Sequence, residues 1–251
     1  MTLDQRRALS GRAETQALLG ERVHVVAVSG KWARIVVPDQ PTPVDPRGYP
    51  GWVPTAQLVV DTAPPTGTTV TLTAKTTWLR AMDGRPLMEV SFGTTLKALA
   101  LSGQDWQVRL PDGRRAEVVA SSVIAGSRPT TARALVSTAR ELLGLDYLWA
   151  GASGFGFDCS GLTAAVYRLH DMVIPRDADA QAAAGRPVAR SAVQPGDLVF
   201  FARDGHVHHV GMYVGNGMML HAPRTGTQVQ VTSLSVAPYV NEYSGARRFL
   251  P

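Results

Sequence analysis

The sequence predicts a multidomain chain, two small all-β barrels followed by an α+β domain. Three observations carry this. The stretch Gly20–Pro38 returns at Gly93–Pro111, 73 positions later. From Thr131 the apolar residues fall three or four apart, the spacing of one helix face. From Asp197 strand-type runs resume, and helices followed by strands mark an α+β layer fold. At 251 residues, with 45% hydrophobic and 18% charged residues, the chain is long for one core and has the composition of a folded protein.

The repeat is "GERVHVVAVSGKWARIVVP" against "GTTLKALALSGQDWQVRLP". Each copy reads as an apolar strand, a Ser-Gly turn and a second strand opened by tryptophan, with Trp32 and Trp106 slipped by one residue. A further short strand follows each, in "GWVPTAQLVV" and "AEVVASSVI". Two copies are too few for a solenoid. The pattern resembles the bacterial SH3-like domain, which often accompanies cell-wall enzymes. The first copy inserts "DQPTPVDPRGYP", whose prolines preclude a regular strand. With linkers at Asp61–Thr69 and Ala125–Thr131, the expected domains are residues 1–62, 63–126 and 127–251.

In the third domain Leu135, Ala139, Leu142 and Leu143 mark one helix, ended by Gly144 and Asp146. Leu162, Ala165, Val166 and Leu169 mark a second, which opens at Cys159, the only cysteine in the chain. A lone cysteine is usually a small buried apolar residue. At a helix N-terminus, however, free N–H groups and a partial positive charge favour a thiolate and can hold an oxyanion. The position suits a nucleophile if a histidine can reach it.

Four of the six histidines lie downstream: His206, His208, His209 and His221. The "HVHH" run reads as a solvated loop, and no metal site is expected. His209 and His221 sit in two strands of a hairpin closed around "GNG" (215–217). A two-residue Asn-Gly turn would set His221 opposite Met212, facing away from His209. A three-residue loop, or an equivalent bulge, would set Gly211 opposite His221, so that the two imidazoles share a face. The three-residue loop or its equivalent is expected.

Composition excludes several roles. One cysteine makes neither an internal disulfide nor a thiolate metal cage. No apolar run approaches a membrane span, and "MTLDQRRALSGRAETQ" has no signal-peptide core. The net charge is +5, but the basic residues are scattered, without a nucleic-acid stripe. No cofactor, nucleic-acid partner or membrane partner is expected. A monomeric, cytoplasmic protein is.

Taken in order, "YLWAGASGFGFDCSGL", "IPRDADAQ", "QPGDLVFF" and "HHVGMYVGNGMMLHAP" closely resemble the NlpC-type cell-wall cysteine peptidases, of papain-like fold, over roughly Thr130–Pro251. The resemblance implies Cys159 as nucleophile, His209 as the base that takes its proton, His221 as the polar residue orienting His209, and Tyr147 near the oxyanion. The N-terminal half, with "PDQPTP" and "GYPGWVP", resembles the dipeptidyl-peptidase VI branch, γ-D-glutamyl-L-diamino acid endopeptidases of murein-peptide recycling. That implies a first SH3-like domain that caps the cleft and reads the free amine of an N-terminal L-Ala. Tyr49 matches the tyrosine that does so. Glu14 is the expected acidic partner, chosen over Glu21, and Asp158 and Ser160 match residues at the same end of the substrate. The sequence departs from relatives at Ala178, where serine is frequent.

A peptidoglycan-derived peptide is therefore the expected partner. Two rival readings are an exported hydrolase of intact wall and a non-catalytic wall-binding protein.

Overall fold

A computed structural model of the chain describes residues 1–60 and 67–251. The expected boundary at 62/63 and most of the linker beginning at Asp61 lie outside the described residues. The chain opens with helix α1 (Leu3–Arg7), capped by Thr2, whose side chain accepts the Gln5 N–H while the Gln5 side chain reaches back to the Thr2 N–H. Strands β1 (His24–Ser29), β2 (Trp32–Val37) and β3 (Tyr49–Pro54) form an antiparallel sheet in the order β1-β2-β3. Its inner face is Ala33, Ile35, Val37 and Tyr49.

The second copy is more complete. Strands β4 (Thr69–Leu72), β5 (Thr76–Arg80), β6 (Pro86–Ser91), β7 (Thr95–Ser102), β8 (Asp105–Arg109), β9 (Arg115–Val119) and β10 (Val123–Ala125) pair in the order β10-β4-β7-β8-β9-β5-β6. They enclose Val70, Leu72, Leu79, Leu96, Val108 and Val118. The repeat extends to its irregularities: β1–β2 shifts register between Val25 and Ala27, and β7–β8 shifts between Ala98 and Ala100, 73 positions on. The slipped tryptophan has a structural consequence. Ser29 pairs with Trp32, whereas Ser102 pairs with Asp105, so Trp32 turns outward and Trp106 turns onto the barrel core.

Here the structure corrects the sequence reading: the first unit is a three-stranded sheet, not a closed barrel. β1, β2 and β3 correspond to β7, β8 and β9, but nothing among the described residues corresponds to β4, β5, β6 or β10. Residues before β1 form α1 and turns, and β1 is exposed along its length.

The third domain holds helices α2 (Ala132–Glu141), α3 (Cys159–Arg168), α4 (Ala178–Ala183) and α5 (Tyr239–Glu242). A short ribbon, β11 (Ala152–Ser153) with β12 (Gly156–Phe157), precedes α3. Strands β13 (Arg186–Val188), β14 (Leu198–Arg203), β15 (His206–Gly215), β16 (Met218–His221), β17 (Gln230–Ser233) and β18 (Tyr243–Arg248) form an antiparallel sheet in the order β13-β18-β14-β15-β16-β17. The helix faces read from spacing are the buried ones. Leu135, Ala139 and Leu142 of the first, and Leu162, Ala165, Val166 and Leu169 of the second, join Phe200, Val210, Met212 and Leu220 from the sheet in one core. Each such Leu or Val contributes about 1.5–3 kcal/mol by leaving water.

The N-terminal residues run across this domain. The Trp149 indole N–H donates to Ala13 O (2.9 Å), the Ala152 N–H to Gln16 Oε1 (2.9 Å), Arg168 pairs with Glu21 (2.8 Å) and Arg6 pairs with Asp146 (2.8 Å). The second unit docks through Phe92, whose ring meets Phe157 edge-on at 6.4 Å, and through Lys75, whose ammonium donates to Leu143 O. Lys75 O accepts the Phe92 N–H at 3.0 Å and leaves no room beside Gly154, where an added Cβ would collide with it. Neither backbone can yield without breaking that bond. Gly154→Ala is therefore expected to cost roughly 1–3 kcal/mol by overpacking and to lower the melting temperature by several degrees in a calorimetric scan.

Candidate active site

Asp158 is the N-cap of α3, and its Oδ1 accepts the Gly161 N–H at 2.6 Å. Cys159 is thus the first helical residue, partly buried, with the helix amides converging on it. Its sulfur also accepts backbone hydrogen bonds from Ser160 and from Val210 of β15. The second is available because β15 pairs with β16 only from Gly215 to Met212, and β16 ends at His221. The thiol sits where the two strands part.

His209 adjoins Val210. The expected three-residue loop is not what the hairpin uses. Asn216 and Gly217 make a two-residue turn, both with positive φ (55° and 69°), and Gly215 pairs with Met218. Val214 is bulged, however, so Tyr213 pairs with Met219 and Met212 with Leu220. The bulge restores the register that brings Gly211 against His221, and an added Cβ on Gly211 would lie 3.3 Å from the His221 Cβ. The two imidazoles share a face, with His209 Nε2 2.7 Å from His221 Nδ1. His221 Nε2 lies 2.9 Å from Thr232 Oγ1. The Tyr239 ring closes over both, edge-on to His221 at 5.2 Å and tilted to His209 at 5.9 Å. A second bulge in β15 turns His208 outward to Glu242 (3.1 Å), apart from this line.

Burial sets the electrostatics. It pushes the Cys159 thiol up to about 12, the Asp158 charge adding to it while the Val210 N–H, Arg176 and the Ser160 N–H act against it. It pushes His209 down to about 3, with His221 and His208 adding to it, and His221 down to about 4. Neither a lone thiolate nor a lone imidazolium is stable here at neutral pH. A proton passed from Cys159 to His209 creates both charges together, each compensating the other. With Nε2 engaged by His221, Nδ1 is the His209 nitrogen left for that proton.

Tyr147 is buried and held by its N–H donating to Thr227 O at 2.9 Å. Burial raises its phenol, and the Cys159 and Asp158 charges raise it further, so the hydroxyl is a neutral donor within electrostatic reach of the sulfur.

The other wall is acidic. Arg176, 2% exposed, donates through Nη1 to Asp158 Oδ1 (3.0 Å) and Ser160 Oγ (3.1 Å), through Nη2 to Asp158 Oδ2 (2.7 Å), and through Nε to Thr15 Oγ1 (2.9 Å). The Arg176 N–H donates to Pro41 O (2.9 Å) in the inserted loop. That loop returns to β2 at Gly48, whose φ of +131° and contact with Val37 O exclude any side chain. Tyr49 follows, buried opposite Val37, with its hydroxyl hydrogen-bonded to the Asp177 side chain. Burial raises both groups, so Tyr49 stays protonated. The Glu14 charge also reaches Tyr49, while Glu21 is occupied by Arg168, Gln40 and the Leu18 N–H.

The eight residues singled out in the sequence thus fall into two adjoining groups: Cys159, His209, His221 and Tyr147 at the thiol, and Asp158, Ser160, Tyr49 and Glu14 around Arg176. Sequence reasoning missed Arg176, Asp177, Thr232 and Tyr239. "IPRDADAQ" carries a signal for the first two, an arginine and an acid next to an apolar run. Nothing local marks the others.

The profile of the NlpC/P60 family matches residues 144–248, and that of the YKFC SH3b2 domain matches residues 72–123. The chain is 41% identical to a gamma-D-glutamyl-L-lysine dipeptidyl-peptidase of Bacillus cereus, with all of this chain and 80% of the relative aligned. It is 39% identical to the Bacillus subtilis protein of the same name, with 99% and 86% aligned. The crystal structure of an NlpC/P60 family protein from Bacillus cereus superimposes with a TM-score of 0.94 at 41% identity, over all of this chain and 87% of that one.

The buried imidazoles make stability sensitive to acid. Both titrate below the usual value of 6.5 when folded, so the unfolded chain binds more protons as pH falls through that value. Their contribution is complete above about 6.5 and is lost toward about 4 and about 3. Urea titrations at about pH 7 and about pH 5 should differ by roughly 2 kcal/mol for His221 alone. His221→Asn should flatten that slope.

Proposed function

The chain belongs to the NlpC/P60 family, and from that premise we propose that it is a cysteine peptidase cutting the γ-D-glutamyl–L-diamino acid bond of murein peptides with a free N-terminal L-Ala. The two Bacillus relatives, both gamma-D-glutamyl-L-lysine dipeptidyl-peptidases by name, support this reading. The observation that carries it is the adjacency of two features, joined at Asp158 and Cys159: the His209–His221 pair, beside which the Val210 N–H meets the Cys159 sulfur, and a buried acidic wall.

The chemistry follows from the geometry. His209 takes the Cys159 proton as the sulfur attacks the γ-carbonyl carbon of D-Glu. The resulting oxyanion is held by α3 amides and the Tyr147 hydroxyl. His209 then gives the proton to the amine of the diamino acid, the C–N bond breaks, and the acyl group remains on sulfur as a thioester. Water, deprotonated by His209, cleaves the thioester and releases L-Ala-γ-D-Glu.

Tyr49, Asp177 and Glu14 form the end that receives the L-Ala ammonium, with Asp158 and Ser160 beside it. A buried ammonium requires an anion and acceptors. An amide at that position leaves them unpaired, which is how such a wall rejects intact strands. A peptide with a free L-Ala amine is a released fragment, which supports a cytoplasmic recycling role. The proposed enzyme acts as a monomer. The helix-borne thiol against a strand-borne imidazole supports the papain-like reading of the third domain, and the three-stranded sheet reads as one half of an SH3-like fold.

The test compares L-Ala-γ-D-Glu-L-Lys and its diaminopimelate counterpart with their N-acetylated forms. Free-amine peptides should be favoured by at least about 100-fold in kcat/KM, and equal cleavage would remove the amine-reading wall. Cys159→Ala should abolish turnover while retaining substrate binding by calorimetry. Tyr49→Phe should cost about tenfold in kcat/KM on free-amine peptides, an effect of about 1.4 kcal/mol, and little on acetylated ones.

A further inference from the structure

We propose that Thr232 is a positioning residue that holds His221 in the tautomer required by the Cys159–His209 ion pair. The inference rests on the peptidase reading above but concerns the state of the thiol, not the identity of the substrate.

The arrangement is a product of strand register. His221 of β16 pairs directly with Gln230 of β17, so Thr232, two residues on, is its diagonal neighbour on the same face. His209 stands in the corresponding diagonal relation to His221 on β15. Three adjacent strands thus contribute one member each to a continuous polar line, His209, His221 and Thr232, with separations of 2.7 and 2.9 Å.

Proton bookkeeping assigns the direction of each bond. When His209 accepts the thiol proton at Nδ1, both its nitrogens carry hydrogen, and Nε2–H donates to His221 Nδ1. A neutral imidazole with a lone pair at Nδ1 carries its hydrogen at Nε2. That hydrogen points at Thr232 Oγ1, which accepts it. In the opposite tautomer His221 would donate to His209, whose own hydrogen would then occupy Nδ1, the nitrogen needed for the thiol.

His221 is fully buried, so an unsatisfied Nε2–H would be costly. It would be most costly when His209 is charged, because the bond is then polarised along the whole line. The Gln230 amide donates to Thr232 Oγ1 at 3.1 Å and uses one of its two lone pairs, leaving the other for His221. The groups acting on the two imidazoles from packed elements are His208 of β15 and Tyr239 of α5, with Arg224, Glu242 and Cys159 of α3 acting on Tyr239. Among the described residues, Thr232 makes the hydrogen bond at His221 Nε2.

The experiment measures the pH dependence of Cys159 alkylation by iodoacetamide, alongside turnover of L-Ala-γ-D-Glu-L-Lys, in the wild type, Thr232→Val and Thr232→Ser. Val keeps the shape and removes the hydroxyl, while Ser restores it. Thr232→Val should slow alkylation at neutral pH about tenfold, raise the apparent thiol titration by about one unit, and lower kcat about tenfold with KM within about twofold. Thr232→Ser should stay within about twofold of wild type in every measure. A Thr232→Val protein with the wild-type alkylation profile overturns the inference. So does a Ser variant that loses as much as Val, since that outcome assigns the effect to packing. Should Val prevent folding, as read by thermal denaturation, Thr232→Ala against Thr232→Ser gives the same comparison. Alkylation needs no substrate: a wild type inert toward the tripeptide would sink the substrate reading while leaving the alkylation contrast to judge Thr232.

Discussion

Val214 is one residue more than its partner strand can match, and the geometry of the site depends on that surplus. In a β-ladder a shift of one residue turns every later side chain to the opposite face. The Asn216–Gly217 turn, taken alone, would send His221 away from His209. The bulge reverses the shift before the ladder reaches Met212, and the imidazoles meet. It also fixes where the β15–β16 pairing stops. That stop leaves the Val210 amide for the sulfur of Cys159, so one inserted residue serves both the proposed base and the proposed nucleophile.

Around this point the protein handles charge by pairing it. Burial opposes charge on both the Cys159 thiol and the His209 imidazole, and in the proposed reaction the two ionise together by exchanging a proton. Across Asp158 lies a permanent version of the same solution: Arg176 and Asp158, a buried pair with each guanidinium nitrogen bonded. Removing either member would strand the other in a site with little water, at about 3–5 kcal/mol. Asp158 therefore has a structural duty, as helix cap and as counter-ion, in addition to any contact with substrate.

Much of this was legible in the sequence. The offset of 73 located the repeat, whose bulges the structure then shows at the same offset, and the apolar spacings of residues 135–143 and 162–169 identified the two helices whose faces are buried. The hairpin argument reached the right alternatives, because register follows from counting, but it could not choose between a longer loop and a bulge. Closure of the first unit was legible only in part: the short stretch before Gly20 left room for a missing strand, but three strands read alike whether or not others cover them. Arg176, Asp177, Thr232 and Tyr239 escaped for a common reason. Each acquires its partner from a distant stretch of the chain or from a neighbouring strand, and no local period marks such contacts.

The stitching of Arg176 into the N-terminal segment, by Thr15 Oγ1 on its side chain and Pro41 O on its backbone, has a bearing on how such proteins diversify. A gene fusion that exchanged the leading domain for an unrelated one would take away more than the inserted loop and the specificity proposed for it. It would also open one of the interior's ionic contacts to solvent. Lineages carrying this arrangement are expected to inherit the N-terminal segment and the thiol-bearing domain as a single cassette, and to vary instead at the solvent-facing side chains of β1, an edge strand paired with β2 alone.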